Sequence, residues 1–534
     1  MNNTVAIDFT AKKVVANRLE DWAQREPDRV ALIEGARQLT YFQWNEKANR
    51  LASALIAKGV DQQDIVVVRT QNCLEWPIIY AALAKIGCSV LGLNWRLTAD
   101  EINYILVNSG ARVFICDDKN PEQLISAFDN IEMKLLAAID CSFNIAKINF
   151  ISFSSLLESS AAKNFFSQQD PKLIIYTSGT TGFPKGVQSK HFRADEDPNS
   201  AKNTEIREYL ASVRGQSSGE AETVLVTMPM HHAAGPSIVR TGVSRGSTLV
   251  FLPRFDAEAV LRLIEHHKIT AWNGVPTMYK RIAALPETVL KKYDVSSIRS
   301  LSVGAAPVPS SLKQWIIDFF GNCLRENYGS TEVSMVSALA PEMQALKPGS
   351  SGKPFRHVKI SVRDQNGREL PTGETGELWI YTPVAISVYL NADPLDENVI
   401  DEQGFFRMGD IGRLDEDGYL YITDRSKDMI ISGGVNIYPA EIEAALIQHP
   451  SVQDVAVIGI PDEEFGEQVK VFCELIPNKN VSLEELNKFA AEKLASYKRP
   501  KSIEIVEELP RNTMGKLLKR ELRDPYWQQQ ERKV

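Results

Sequence analysis

A short apolar segment that runs directly into a loop rich in glycine and hydroxyl residues constrains this fold more than any other feature. The segment Leu173-Ile-Ile-Tyr176 predicts a buried strand, and the ten residues Thr177-Ser-Gly-Thr-Thr-Gly-Phe-Pro-Lys-Gly186 follow it. Glycines let the backbone turn tightly and direct N–H groups at an anion, hydroxyls donate further hydrogen bonds, and Lys185 adds positive charge. Such a loop suits a polyphosphate, with a Gly/Thr-rich hairpin or a flexible loop as the alternative. It is not a Walker A loop, because Phe183 and Pro184 separate the lysine from the preceding glycine.

The order of apolar segments along the chain favours an α/β fold. Helix-period segments such as 48–55 alternate with short β-branched runs such as 65–68 and 113–116, and the alternation resumes beyond residue 220. At roughly 150 residues per domain, a chain of 534 residues contains three to four compact units or two large ones. We expect the first several hundred residues to form one large multi-sheet body.

The C-terminal part of the chain predicts a second, small α/β domain. A helix begins near Pro439, strands follow at 455–460 and 469–476, and Ser482-Leu-Glu-Glu485 has the spacing of a capping box that opens another helix. We place the boundary at Lys427, so that residues 1–426 form the large domain and residues 427–534 the small one.

A charged segment interrupts the large domain. Residues 188–222 are rich in charged and small polar side chains and show only a weak helical pattern near 204–213. We expect this segment to be a surface excursion.

Composition and charge exclude several classes of protein. The chain has 60 Lys and Arg against 68 Asp and Glu, and this mild net charge of −8 provides no field that would attract nucleic acid. Its six cysteines are scattered singly without metal-ligand spacing, which favours reduced thiols in a cytoplasmic protein. The longest apolar stretch is interrupted, and the first residues do not resemble an export or transit signal. We therefore expect no nucleic-acid partner, no integral membrane segment and a cytoplasmic location.

Seven further motifs follow the order of one enzyme superfamily. They are Met230-His-His-Ala-Ala-Gly235, Ser302-Val-Gly-Ala-Ala-Pro307, Asn327-Tyr-Gly-Ser-Thr-Glu332, Met408-Gly-Asp410, Asp424-Arg-Ser-Lys-Asp428, Ser432-Gly-Gly-Val-Asn-Ile-Tyr-Pro-Ala-Glu-Ile-Glu443 and Pro510-Arg-Asn-Thr-Met-Gly-Lys516. Together with the glycine-rich loop, they resemble the adenylate-forming superfamily of acyl-CoA synthetases, peptide-synthetase adenylation domains and firefly luciferase. The resemblance covers essentially the whole chain and implies a large AMP-binding domain with a small mobile C-terminal domain.

The resemblance implies a binding site for ATP and AMP. Tyr328 would cover the adenine ring, with residues 304–306 along the opposite face. Asp410 and Arg425 would contact the ribose hydroxyls, since a carboxylate accepts from both members of a cis-diol. The implied nucleotide-binding residues are Thr177, Ser178, Gly179, Thr180, Thr181, Gly182, Lys185, Gly304, Ala305, Ala306, Asn327, Tyr328, Gly329, Thr331, Asp410, Arg425 and Lys516.

The implied catalytic residues neutralise charge while a carboxylate attacks the α-phosphate. Glu332 would bind Mg²⁺, Thr331 would approach the α-phosphate, and Lys185 would hold the leaving phosphates. Lys516 would bridge the two reacting anions. By local sequence alone, Glu332 reads as a solvated carboxylate and Lys516 as one more lysine of a basic tail, so their motif context carries both assignments.

Domain rotation is implied for the second half of the reaction. Lys427 occupies the hinge position of the superfamily. Rotation there would withdraw Lys516 and bring Gly433 and Gly434 towards the thiol, where two residues without side chains leave room for a pantetheine arm.

The acyl site is implied by histidine and small residues. No aspartate stands near His231 and His232 to pair with the α-amino group of an amino acid, which favours a neutral or apolar acid. His232 matches the gate between the acyl pocket and the thiol channel, although a lone histidine is usually a core residue. The implied acyl-site residues are His231, His232, Trp272, Gly274, Val275 and Gly304.

We therefore predict an ATP-dependent acyl-CoA synthetase that uses Mg²⁺ and coenzyme A. It would activate a hydrophobic acid, either a medium- or long-chain fatty acid or an aryl or polycyclic one, as the acyl-adenylate with release of pyrophosphate. The thiol of coenzyme A would then form the thioester and release AMP. The alternatives are a free-standing ligase that loads the phosphopantetheine thiol of a carrier protein, and a catalytically silent nucleotide-binding protein. We expect no fused carrier domain after Lys516, and a homodimer is left open.

Overall fold

The computed structural model describes most of the chain. The described residues are 15–118, 121–139, 143–145, 148–165, 171–177, 184–188, 200–214, 221–306, 308–425, 427–432, 435–512 and 515–527. Across these ranges, every helix is too short or too polar to cross a bilayer.

Helices and strands alternate through the first part of the chain. In chain order the described α-helices and strands are α1 (Val15–Arg25), β1 (Val30–Glu34), β2 (Arg37–Thr40), α2 (Tyr41–Ala57), β3 (Ile65–Arg69), α3 (Glu75–Ile86), β4 (Ser89–Gly92), α4 (Ala99–Ser109), β5 (Val113–Cys116), β6 (Leu135–Ala138), β7 (Phe143–Ile145), β8 (Ile148–Ser152), α5 (Phe153–Glu158), β9 (Leu173–Thr177) and β10 (Lys185–Gln188).

The alternation continues up to an all-β segment. The next elements are α6 (Ala201–Arg214), β11 (Thr223–Val226), α7 (Ala234–Arg245), β12 (Thr248–Phe251), α8 (Ala257–His267), β13 (Ala271–Gly274), α9 (Pro276–Ala283), α10 (Glu287–Leu290), β14 (Ser300–Val303), α11 (Ser310–Phe320), β15 (Leu324–Ser330), β16 (Ser334–Leu339), β17 (Lys353–Pro354), β18 (Lys359–Arg363), β19 (Gly376–Tyr381), β20 (Phe406–Leu414) and β21 (Leu420–Arg425).

The C-terminal domain contains the remaining elements. They are β22 (Ile430–Ser432), β23 (Val435–Ile437), α12 (Pro439–Leu446), β24 (Val452–Asp462), β25 (Gly466–Leu475), α13 (Leu483–Lys493), β26 (Ser502–Val506) and α14 (Lys519–Trp527).

Two large, mostly parallel sheets form the centre of the N-terminal domain. The described strands order as β17-β16-β15-β14-β13-β11-β12-β1-β2 in one sheet and as β10-β9-β4-β3-β5-β6-β8-β7 in the other. Antiparallel pairs occur towards the edges, at β1/β2, β15/β16 and β16/β17 in the first sheet and at β9/β10 and β7/β8 in the second. Helices that connect parallel strands therefore cover both faces of each sheet.

Helices α2 and α3 pack between these two sheets. Their largest buried side chains include Trp44 and Trp76, which are almost fully buried, and the Trp44 indole donates to the carbonyl of Pro77 at 3.0 Å. Along β3, Val66 and Val68 face this central core, while Val67 faces the core on the other side of the sheet. That alternation follows from the two-residue period of a strand, so continuous β-branched runs are buried on both faces.

Two smaller sheets complete the architecture of the described chain. Strands β18 to β21 form an antiparallel sheet in sequence order. In the C-terminal domain, β23-β22-β25-β24 are antiparallel and β26 pairs with β25 in parallel. The predicted α/β class, with a large multi-sheet domain and a smaller C-terminal domain, is confirmed.

The charged segment differs in part from the sequence prediction. Within residues 188–222, helix α6 is packed against the large domain: Tyr209 is fully buried and donates its hydroxyl to the carbonyl of Met335 on β16 at 2.8 Å. Ile206, one helical turn earlier, is also buried. The predicted weak helical pattern near 204–213 lies within α6, and the helix keeps an exposed face. Its short apolar stripe, however, meets a strand more than 100 residues away that local sequence does not reveal.

Candidate active site

Strand β15 delivers a tyrosine to a buried carboxylate of the next sheet. The Tyr328 hydroxyl donates to Oδ2 of Asp410 at 2.5 Å, and Nε of Arg425 lies 3.0 Å from Oδ1 of the same side chain. Asp410 and Arg425 are paired residues across β20 and β21, which fixes their approach. Only 4% of Asp410 is exposed, whereas Arg425 extends into solvent. Burial and the adjacent Asp410 raise the pKa of Tyr328 well above its usual range.

This arrangement leaves hydrogen-bonding capacity on both oxygens of Asp410. A carboxylate offers about four acceptor positions, of which the tyrosine and the arginine use two. The cluster is therefore suited to bind a pair of adjacent hydroxyls with charge-assisted hydrogen bonds.

The end of β14 packs tightly against β15. A Cβ atom on Gly304 would lie 2.6 Å from the carbonyl oxygen of Asn327, closer than real Cβ atoms approach. The Asn327 amide donates to the Ser302 hydroxyl at 2.7 Å, which ties the two strands together. Ala305 has a φ of 68°, a left-handed conformation that costs free energy in a residue with a side chain. Only glycine at position 304 permits this close approach, and Ala306 continues the same wall.

A second charged group lies at the turn that follows β15. Thr331 and Glu332 form this turn, and the Glu332 carbonyl accepts from the Ile386 N–H at 3.0 Å. The Glu332 carboxylate is close enough to the Tyr389 hydroxyl to raise its pKa, while Nζ of Lys185 lies 5.0 Å from the centre of the Tyr389 ring. Burial and Glu332 raise the pKa of Tyr389 to about 12. Tyr389 thus connects a cation and a carboxylate, and the sequence motifs gave no signal for it.

The glycine-rich loop begins and ends at paired strand residues. Thr177 on β9 pairs with Lys185 on β10. Residues 178–183, and with them the predicted phosphate contacts Ser178, Gly179, Thr180, Thr181 and Gly182, lie outside the described residues. Gly329 is described: it follows Tyr328 at an irregularity in the β15/β16 pairing, where a Cβ would collide with the Ser334 carbonyl.

Lys516 reaches the same region from the C-terminal domain. Burial is the largest influence on its ammonium and lowers its pKa, and Arg425 lowers it further. The carboxylates of Asp410, Asp428 and Glu332 act in the opposite direction. The backbone N–H of Lys516 donates to the Asn512 side chain at 2.9 Å, which shapes the loop. Asp410 and Glu332 are therefore both within electrostatic reach of the Lys516 ammonium.

The predicted hinge lies beside this cluster. Arg523 of α14 donates to the Lys427 carbonyl and to the Asp428 carboxylate, both at 3.1 Å. Burial lowers the pKa of Lys427, with Arg425, Arg523 and Lys185 adding to the effect. Gly433 and Gly434 lie outside the described residues.

The predicted acyl-site residues occupy two neighbouring strand ends and one turn. Gly274 on β13 pairs with Val303 on β14, next to Gly304, and a Cβ on Gly274 would lie 2.9 Å from the Tyr279 ring. Trp272 is buried and donates its indole N–H to the Thr227 hydroxyl at 2.9 Å. Val275, which precedes α9, is buried as well. Trp272 and Val275 are therefore core residues.

His231 and His232 lie in the turn before α7, with ring centres 4.5 Å apart. Both ring nitrogens of His231 are buried without a hydrogen-bond partner among the described residues. Burial, His232 and Arg96 lower the pKa of His231 to about 3, and burial lowers the pKa of His232 to about 4. Both imidazoles are therefore neutral at physiological pH.

The first prediction concerns the pH dependence of stability. Because the folded state holds His231 neutral, the unfolded chain binds a proton first as pH falls below about 6.5. Unfolding free energy is thus lost towards acid at about 1.4 kcal/mol per pH unit for this residue. We expect His231→Phe to reduce the loss between pH 6.5 and pH 5 by about 2 kcal/mol, measured by urea unfolding with tryptophan fluorescence.

The matched control is Met230→Leu, which alters a neighbouring side chain that is equally buried without removing a titratable group. It should keep the pH slope of the unsubstituted protein. An unchanged slope in His231→Phe would contradict the assignment of a buried neutral imidazole.

The chain is similar to known proteins over nearly its whole length. The family profile described as AMP-binding enzyme matches residues 19–390, and the profile described as AMP-binding enzyme C-terminal domain matches residues 441–516. A fatty acid–[acyl-carrier-protein] ligase from Streptomyces coeruleorubidus is 33% identical, with 96% of both chains covered. A 2-succinylbenzoate–CoA ligase from Bacillus licheniformis is 34% identical over 95% of this chain and 99% of the relative.

Solved structures share the fold. The o-succinylbenzoate CoA synthetase MenE from Bacillus subtilis, in complex with the acyl-adenylate OSB-AMP, is 30% identical with a TM-score of 0.78, covering 95% of this chain and 98% of that one. The anthranilate CoA ligase AuaEII, in complex with anthranoyl-AMP, is 26% identical with a TM-score of 0.83, covering 96% and 97%. The predicted superfamily and the predicted class of enzyme, an acid–thiol ligase, are confirmed. Given profiles that match most of the chain and relatives above 30% identity that span nearly all of it, this chain belongs to the family of AMP-binding, adenylate-forming enzymes.

Proposed function

We propose that this enzyme is an ATP-dependent acyl-CoA synthetase that activates a hydrophobic carboxylic acid through its acyl-adenylate. The observation that carries the proposal is the cluster of Tyr328, Asp410 and Arg425, beside which Lys516 of the C-terminal domain lies near enough for Asp410 and Glu332 to influence its ammonium. Two carboxylates and one ammonium at such a site suit a reaction that joins two anions, because the chemistry is mostly positioning and charge neutralisation.

We assign the nucleotide to the cleft between β15 and β20. Tyr328 and the wall of residues 304–306 would enclose the adenine, and the two oxygens of Asp410 would accept from the ribose hydroxyls. Lys185 and the loop that it closes would hold the leaving phosphates. Lys516 would stabilise the charge that develops as the acid carboxylate attacks the α-phosphate.

Glu332 fits a single-carboxylate site for Mg²⁺. No cluster of three or more potential metal ligands occurs in the part of the chain that the structure describes, so phosphate oxygens and water would complete the coordination of a cation there. Mg²⁺ prefers this arrangement of one or two carboxylates with substrate phosphates. Bound in this way, the ion would neutralise charge on the pyrophosphate leaving group.

The second prediction tests this role. We expect Glu332→Gln to raise the Mg²⁺ concentration for half-maximal acyl-adenylate formation roughly tenfold, because the amide loses the charge that a hard cation prefers. Glu374→Gln, at an exposed position on the same domain, is the control and should keep the original Mg²⁺ dependence. An unaltered Mg²⁺ titration in Glu332→Gln would remove Glu332 from the metal site.

We propose that the domains meet at Lys427, with residues 1–426 forming the large domain and residues 427–534 the small one. At this boundary, Arg523 of α14 donates to the Lys427 carbonyl and to the Asp428 carboxylate. Rotation about this point would remove Lys516 and present residues 433–434 to the thiol. Such a rotation would explain how the two half-reactions use different residues beside the same α-phosphate.

The acid is proposed to be hydrophobic and uncharged beyond its carboxylate. The residues implied for the acyl site include two neutral imidazoles, those of His231 and His232, and no carboxylate. Burying a substrate ammonium there would be costly. Relatives are named for fatty, succinylbenzoyl, indoleacetic and feruloyl acids, which leaves the class open between fatty and aryl acids.

The acceptor thiol is proposed to be that of coenzyme A. A carrier-protein thiol is the second candidate, favoured by the relative named as a fatty acid–[acyl-carrier-protein] ligase. A catalytically silent protein is disfavoured by the presence of both Glu332 and Lys516. The cytoplasmic location and the homodimer stay predictions.

The deciding experiment measures pyrophosphate release over a panel of carboxylic acids. Mass spectrometry then compares acyl transfer from the best acid to coenzyme A and to a phosphopantetheinylated carrier protein. A CoA thioester supports the proposal, and a product formed only on the carrier replaces it with the second candidate. Absence of pyrophosphate release with every acid would support the silent alternative.

A further inference from the structure

An ion pair joins the large domain to the small domain. Nζ of Lys280, on helix α9 of the large domain, lies 3.0 Å from Oδ2 of Asp454, on strand β24 of the small domain. Both side chains are largely buried, with 27% and 19% exposed respectively. A pair in that environment is screened less than one on an open surface.

The same carboxylate connects to the loop that carries Lys516. Arg511 also pairs with Oδ2 of Asp454, and its other terminal nitrogen donates to the carbonyl of Gly515 at 2.9 Å. Lys516 directly follows Gly515. A continuous path of polar contacts therefore runs from helix α9 of the large domain to the residue before the catalytic lysine.

Helix α9 contacts this loop at a second point. Gly515 has a φ of +71°, and a Cβ at that position would lie 2.2 Å from Oγ1 of Thr277. Thr277 and Lys280 are three residues apart and so lie on the same face of the helix. On this one face of α9, Thr277 therefore contacts the backbone of the loop at Gly515, and Lys280 pairs with the Asp454 carboxylate.

The opposite side of α9 is anchored in the large domain against β13 and β14. The Tyr279 hydroxyl donates to the Ser302 carbonyl at 3.1 Å, and its ring lies 4.5 Å from the Trp272 ring. Tyr279 is fully buried. These buried contacts of Tyr279 hold α9 in place, and with it the face that contacts the small domain.

We propose that Lys280 is a positioning residue, whose ion pair with Asp454 docks the small domain in the pose that places Lys516 at the nucleotide. This inference rests on the proposed function and adds a residue to it. Rotation of the small domain about Lys427 would separate Lys280 from Asp454, so loss of the pair should weaken acyl-adenylate formation. Thioester formation, which needs the rotated pose, should not depend on it.

The test separates the two half-reactions of the full-length enzyme. We expect Lys280→Met to slow acyl-adenylate formation from ATP and acid roughly tenfold, while the rate of thioester formation from presynthesised acyl-adenylate and coenzyme A is unchanged or higher. Lys280→Arg keeps the charge and should restore most of the first rate. Lys268→Met, which breaks the exposed Lys268–Asp294 pair at 3.1 Å, is the matched control and should change neither rate.

A second readout does not depend on catalysis. Hydrogen exchange at the amides of Gly515 and Lys516 should be faster in Lys280→Met than in the unsubstituted protein or in Lys268→Met. Equal loss of both half-reactions, or unchanged exchange and unchanged rates, would overturn the proposal. Failure of the unsubstituted enzyme to form any acyl-adenylate would instead refute the proposed function, while the exchange comparison would still decide whether the pair docks the loop.

Discussion

Replacing Lys516 with alanine is expected to slow acyl-adenylate formation by roughly 100- to 1,000-fold, because a preorganised cation would be lost where charge develops on the phosphate. The ammonium is within electrostatic reach of Asp410 and Glu332. Its removal therefore leaves these carboxylates and the reacting phosphate without a nearby positive charge. Pyrophosphate release from ATP in the presence of the acid, without coenzyme A, measures this step.

The same variant should form the thioester from presynthesised acyl-adenylate at close to the original rate. Arg520→Ala is the matched control, since it removes an exposed cation of the same C-terminal segment that pairs with Asp524. It should leave both steps intact. Equal impairment of both steps in Lys516→Ala would argue that the lysine supports the fold of the site and does not act in adenylation alone.

The second large effect is expected from Asp410→Asn, which should raise the KM for ATP roughly 100-fold. Two charge-assisted hydrogen bonds to ribose hydroxyls would be weakened at a position that is almost fully buried, and each such bond is worth about 1.5–3 kcal/mol. The substitution also removes the ion pair that Arg425 makes with the Asp410 carboxylate. Initial rates at varied ATP concentration give the change in KM.

A nucleotide comparison distinguishes ribose binding from a general disturbance of the site. The unsubstituted enzyme should prefer ATP over 2′-deoxy-ATP, and Asp410→Asn should lose most of that preference. Asp417→Asn is the control, because Asp417 is an exposed carboxylate that pairs with Lys347. Retention of the preference in Asp410→Asn would place the ribose elsewhere.

Local patterns were sufficient to predict many elements. The run 113–116 forms β5 as predicted, and the predicted strand at 173–176 extends by only one residue in β9. Ser482 caps α13 through its hydroxyl, which accepts from the Glu485 N–H at 3.1 Å. These features depend on a few neighbouring residues, so periodicity and capping chemistry determine them without tertiary contacts.

Helix α6 shows the limit of such reasoning. Its sequence is polar enough to predict a surface segment, yet Tyr209 is buried against β16 and hydrogen-bonds to a backbone carbonyl there. A few apolar side chains suffice to bury one stripe of a helix when a matching surface is available. Local sequence does not reveal whether that surface exists.

Short runs of residues were enough to identify the family and the order of its motifs, because the chemistry of each motif is local. Tertiary contacts were needed to show that Tyr389 lies close to both Lys185 and Glu332, and that Lys280 meets Asp454 across the domains. These partners come from elements distant in the chain. Sheet order and domain orientation, rather than any local pattern, bring their charges to within a few ångströms, and Coulomb interactions act only after that approach.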